Sequence, residues 1–163
     1  MKKQLLAASL SLCLFLQTAQ AGLDSKKVEY VGGTWTAVDM GTEGKLFTND
    51  PAKAIFRTDK RQEFSIPYKQ ITSLEYGQKA GRRIGATIGW GATTLGLAAL
   101  PLLLSKKRKH YLSIVWVGDD GSNEGVVLEL GKDITRPVLK TFEVRSGQKI
   151  EFESEEAKKH LGN

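Results

Sequence analysis

An uncharged run at 84–104 lies in the middle of a chain whose two flanks both read as short β-strands. It holds four Gly and six Leu. Lys79, Arg82 and Arg83 precede it, and Lys106, Lys107, Arg108 and Lys109 follow it. As a helix, at about 1.5 Å per residue, a run this long matches a bilayer core of about 30 Å. Neither flank alone is long enough to build a convincing core, so the strands on both sides are expected to share one domain. The run then has three possible fates. It crosses a membrane once and divides the sheet, it dips into a bilayer and returns, or it packs against protein.

The composition of the run bears on all three. Gly81, Gly85 and Gly89 are spaced by four, and Ala92, Thr93 and Gly96 continue the stripe. On a helix these small residues share a face that another element can approach closely. Leu97, Leu100, Leu102 and Leu103 make the second half more apolar, and Pro101 discourages a straight continuation. Trp90 suits a membrane boundary. The leading expectation is a hairpin or surface insertion. Its membrane contacts would be Lys79, Arg82, Arg83, Trp90, Leu97, Leu100, Leu102, Leu103, Lys106, Lys107, Arg108 and Lys109. Gly81, Gly85, Gly89 and Gly96 would supply a packing stripe. Clustered cations beside apolar surface favour anionic headgroups.

The first 21 residues read as a secretory signal. Lys2 and Lys3 open it, 5–16 is apolar, and Ala19-Gln20-Ala21 offers small residues for cleavage before Gly22. Cys13, the single cysteine, follows Leu12 rather than a small residue and would leave with the signal, so lipid attachment there is not expected. The mature chain would hold no disulfide or thiolate site. The expected location is the periplasm or cell envelope, with the protein membrane-associated. The full chain's net charge of +6 includes Lys2 and Lys3 of the signal; the excess that remains in the exported protein borders the apolar run and points to a membrane or an envelope protein rather than nucleic acid. The expected organisation is a signal at 1–21, one domain at 22–153 with the apolar insert and its basic flanks at 80–109, and a polar tail at 154–163.

Along the domain, 28–38 carries β-branched and aromatic residues around Gly32-Gly33, which predicts a strand with a bulge or two short strands. Short strands are expected near 45–47, 54–57, 62–66 and 71–76. The strongest strand is 110–117. Its alternation turns Leu112, Ile114 and Trp116 toward the core and Tyr111, Ser113, Val115 and Val117 the other way. Asp120-Gly121 predicts a hairpin to 125–130. Val138, Leu139 and Phe142 then adopt helical spacing. Asp133 or Thr135 is the expected N-cap, Pro137 would lie in the first turn, and Gly147 would end the helix.

Two stretches carry a family resemblance. One is Phe64-Ser65-Ile66-Pro67-Tyr68-Lys69-Gln70-Ile71-Thr72-Ser73-Leu74-Glu75-Tyr76. The other is 110–147, an apolar hairpin followed by a helix. Together they resemble the PH-like superfold, in the broad sense that includes GRAM-like and bacterial PH-type domains. The resemblance covers about 44–150 and implies an α+β fold: a PH-like β-barrel or roll of short antiparallel strands, one C-terminal amphipathic helix plugging its open end, and a helical apolar insert. Residues 77–109 replace what would be a short loop in that family. The family brings no catalytic residues. Its lipid-binding loop has no match here, so lipid specificity is not implied.

Catalytic patterns are sparse. His110 and His160 are the two histidines, one beside four cations and one in the tail, with no paired-His spacing for zinc. There is no Gly-x-Ser-x-Gly elbow, and the glycines near Gly85 fit neither a dinucleotide nor a P-loop pattern. No cofactor and no enzymatic activity are expected. The expected function is a non-enzymatic, membrane-associated binding module of the envelope, docking through the insert and its basic flanks. The alternatives are an assembly protein that oligomerises through the glycine stripe, and a single-span membrane protein.

Overall fold

A computed structural model describes residues 26–78 and 109–162. The leader, the packing stripe and every expected membrane contact except Lys109 lie outside these residues. The elements are β1 (Lys26–Gly33), β2 (Thr42–Phe47), β3 (Lys53–Thr58), β4 (Glu63–Pro67), a single 3-10 turn (Tyr68–Gln70), β5 (Ile71–Gly77), β6 (His110–Val117), β7 (Asn123–Leu130), α1 (Lys132–Ser146), β8 (Ile150–Phe152) and α2 (Glu155–Gly162). The strands form one sheet of eight in the order β4-β3-β2-β1-β7-β6-β5-β8.

The expected closed PH-like barrel is not what the chain forms. The sheet is open and mixed, with β4 and β8 as its two edges. All pairings are antiparallel except that β8 lies parallel to β5, Leu74 opposite Ile150 and Tyr76 opposite Phe152. The β5 edge that a barrel would use for closure is therefore occupied by β8. The helical insert belonging to that expectation falls outside the described residues. The polar tail carries α2, and its Ala157 is buried in the core. Ser154 Oγ accepts from the Ala157 N–H at 3.2 Å and so caps the first turn.

Local chemistry explains most boundaries. The strand bulge falls between Tyr30 and Gly32, and a Cβ at Gly33 would strike the Gly125 carbonyl of β7. Gly121 turns the β6–β7 hairpin with φ 80°, while Asp120 Oδ1 accepts from the Ser122 N–H at 2.9 Å and from its hydroxyl at 2.6 Å. Gly147 ends α1 in the left-handed region with φ 78°. The start of α1 differs from expectation. Gly131 stands at the N-cap without a side-chain cap, so neither Asp133 nor Thr135 fills that role; Thr135 Oγ1 instead donates to the Gly131 carbonyl at 2.9 Å. Because the helix begins at Lys132, Pro137 lies beyond the first turn, where it removes one backbone donor.

The core lies on the inner face of the sheet. Val28, Tyr30, Leu74, Tyr76, Leu112, Ile114, Trp116, Val126, Leu128 and Leu130 point into it, and Ile134, Val138, Leu139 and Phe142 of α1 pack against them. Trp35, from the loop after β1, packs on Phe64 with ring centres 4.7 Å apart and the planes tilted by 59°, and the Tyr30 hydroxyl donates to the Trp35 carbonyl at 2.7 Å. Burial pushes the Tyr30 phenol up to about 12.

Candidate functional site

One end of the sheet gathers the features that bear on function. Gly77 at the end of β5 lies opposite Tyr111 near the start of β6, His110 lies opposite Leu130, and Leu130 lies opposite Val28 near the start of β1. The connection between β5 and β6 thus leaves and re-enters at neighbouring strands, and the chain preceding β1 arrives at the same end. Since β5 and β6 are paired from Ile71 to Gly77, both flanks of the apolar run belong to one sheet. That pairing is incompatible with the two halves lying on opposite sides of a bilayer. Among the described residues, no helix is long and apolar enough to cross a membrane.

The root of the insert is held by polar contacts. Glu153 Oε2 accepts from the Gln78 N–H at 3.1 Å, and the Glu153 N–H donates to the Tyr76 carbonyl at 2.9 Å. A Cβ at Gly77 would strike the Glu153 carboxylate, so glycine there lets the β8 end close over β5. On the β6 side, Tyr76 Oη and His110 Nδ1 share a hydrogen bond at 2.6 Å, with the two rings stacked. Burial raises the Tyr76 phenol above its ordinary range.

Beside this root, the sheet register lines up Glu43 of β2, Glu29 of β1, Glu129 of β7 and Tyr111 of β6 across four strands. Two of the three carboxylates have a lysine: Lys27 Nζ lies 2.6 Å from Glu43, and Lys109 Nζ lies 2.7 Å from Glu129. Glu29 stands between them. Burial, then the Glu129 carboxylate, raise its carboxyl above the usual range, with Lys109 opposing. Burial, then Glu129, likewise raise the Tyr111 phenol.

Lys109 is the one expected membrane contact within the described residues. It is partly buried and engaged with Glu129, and that hydrogen bond leads the causes that raise its ammonium. Lys79, Arg82, Arg83, Trp90, Leu97, Leu100, Leu102, Leu103, Lys106, Lys107 and Arg108 lie outside the described residues, as do Gly81, Gly85, Gly89 and Gly96. Sequence reading missed Glu29 and Glu129, because their adjacency depends on β1–β7 pairing across the whole domain. It also missed the burial of the second face of β6. The signal for that was present, since Val115 and Tyr111 alternate with an already apolar inner face, as on strands covered on both sides. Neither the known family models nor the curated proteins compared with this chain match it.

Proposed function

We propose that the protein is an exported, non-enzymatic binding module of the cell envelope, held against an anionic membrane surface through residues 79–108. One observation carries the reading. The end of β5 and the start of β6 lie together on neighbouring strands, so the connection that holds the apolar run 84–104 and its basic flanks leaves and rejoins the sheet at one end. A domain tethered at one end presents that end to the surface and keeps its whole sheet on one side. The basic residues on either side of 84–104 then approach the same interface, where each Lys or Arg adds about 1 kcal/mol of attraction. The opposite ends of the central strands, with the 118–122 turn and the loop after β1, face away.

The test is sedimentation with vesicles. Replacing Lys106, Lys107 and Arg108 by Gln leaves Lys109 on Glu129 and removes three cations. Binding to vesicles containing anionic lipid is expected to fall about a hundredfold, on the basis of about 1 kcal/mol for each cation, while binding to neutral vesicles stays as it was. Equal binding of the parent and the variant to anionic vesicles contradicts the electrostatic part of the proposal. Failure of the parent to bind either kind contradicts membrane association.

A further inference from the structure

The sheet is open, and β4 forms one of its edges, paired with β3 among the described strands. The Thr58 N–H donates to the Gln62 carbonyl and the Tyr68 N–H to the Ala52 carbonyl, both at 2.9 Å. Phe64 and Ile66 are in phase with these positions, so their backbone groups are aimed at β3. Glu63, Ser65 and Pro67 alternate with them and turn theirs outward. The open side thus presents the N–H and carbonyl of Glu63 and of Ser65, and the carbonyl of Pro67, which has no N–H. The Glu63 and Ser65 side chains are exposed. A charge and a proline guard an edge against most pairings; the pairing they allow is one in which the two meet.

We propose that this edge pairs with the same edge of a second copy, antiparallel about a two-fold axis at Ser65. Each Ser65 N–H then donates to the other copy's Ser65 carbonyl, and each Glu63 N–H donates to a Pro67 carbonyl of the other copy. Pro67 ends its strand with φ −69° and ψ 117°, so its ring stands at the end of the ladder and leaves the Glu63 carbonyl opposite to water. Charge selects the second copy as the occupant. Arg57 lies opposite Glu63 and Lys53 opposite Pro67, so across the seam one row reads Arg57, Glu63, then Pro67 and Lys53 of the other copy. Glu63, whose carboxylate lies 2.6 Å from Arg57 Nε, gains a second cation two strand spacings away, about 10 Å between backbones, across a proline too short to intervene. Other registers lose this match. Centring on Glu63 opposes two carboxylates, and centring on Pro67 opposes two residues without donors. Centring on Ile66 runs Glu63 past the other strand onto the 3-10 turn. Centring on Phe64 sets Pro67 against Arg61, whose φ of 64° departs from the strand, and brings Lys53 toward that arginine. Ile66 is already fully buried within its own domain, so hydrogen bonds and charge carry the contact.

The experiment uses the full chain with Cys13→Ser and Ser65→Cys, in one detergent throughout. Directly opposed Cα atoms about 5.5 Å apart lie within disulfide reach, so oxidation should give a linked dimer about tenfold faster than Lys60→Cys at the exposed turn before the same strand. The unoxidised parent should sediment as a dimer that dissociates on dilution, because one short edge is small beside a standard interface. Ser65→Pro removes the central outward donor without touching the ladder to β3, and should be monomeric at concentrations where the parent is dimeric. Lys53→Glu replaces attraction by repulsion at two symmetry-related places and should weaken the dimer about tenfold; it keeps the test decisive where Ser65→Pro melts below the parent. A parent that stays monomeric at every concentration overturns the proposal. A dimer that both substitutions leave undiminished overturns it too, by placing the association elsewhere on the chain, as does linking at position 65 no faster than at position 60. None of these readings involves vesicles, so this proposal and membrane association can fail separately.

Discussion

Glu29 lies between Glu43 and Glu129 across the register, and its carboxyl is raised chiefly by burial. A raised folded pKa means that the folded chain holds this proton more tightly than the unfolded one. The associated stability is full below the unfolded carboxylate pKa and is lost as pH rises through the folded one. Glu29→Gln should therefore stabilise the protein at pH 7, by a few tenths of a kcal/mol (roughly), since the group is largely solvated. The gain should vanish below about pH 4; melting curves at the two pH values check it. Arg145 is the converse case. Its guanidinium donates to the carbonyls of Thr48 and Asp50 and lies 5.3 Å from the centre of the Tyr68 ring. Lysine has neither the planar fork nor the stacking face, so Arg145→Lys should lose about 1–3 kcal/mol in chemical denaturation. A loss within measurement error would show that the guanidinium contacts contribute nothing net.

Among the elements, α1 is the one whose individual residues separate most cleanly. Phe142 is fully buried against Tyr68, Gly147 holds φ 78°, and Val144 is 63% exposed. Phe142→Ala is expected to cost about 3–5 kcal/mol and Gly147→Val about 1–2 kcal/mol. Val144→Glu should stay within about 0.5 kcal/mol of the parent. Urea titrations of the three variants test the order, and a large loss at Val144 would mean that this face of the helix is covered. The features readable in advance were those set by neighbours in sequence: the Asp120-Gly121 hairpin, a bulge within β1 close to its glycine pair, the inner face of β6 and the glycine stop of α1. The features not readable were set by distant partners. The pairing of β8 is one of them, because its parallel partner β5 lies far upstream. This parallel edge is what overturned the expected barrel. The carbonyls that hold Arg145 are 97 and 95 residues away, and the row of Glu43, Glu29 and Glu129 exists only once three strands are in register.

For the whole molecule, the decisive relation is that the chain interrupts its sheet with an apolar run and then resumes the same sheet in the neighbouring strand. Leu74 opposite Ile114 and Gly77 opposite Tyr111 join the halves before and after the run. The central claim is therefore that both halves lie on one side of whatever surface residues 79–108 meet. It is tested most directly with two single-cysteine chains carrying Cys13→Ser, one with Lys60→Cys before the run and one with Ser122→Cys after it, both at exposed turns. Intact cells and opened cells are treated with a maleimide that does not cross membranes. The account predicts equal labelling of both positions from the outer side in cells whose outer barrier has been made permeable, with no further gain when the inner membrane is opened. Labelling of Lys60→Cys from outside, with Ser122→Cys reacting only after the inner membrane is opened, would place the halves on opposite sides and contradict it.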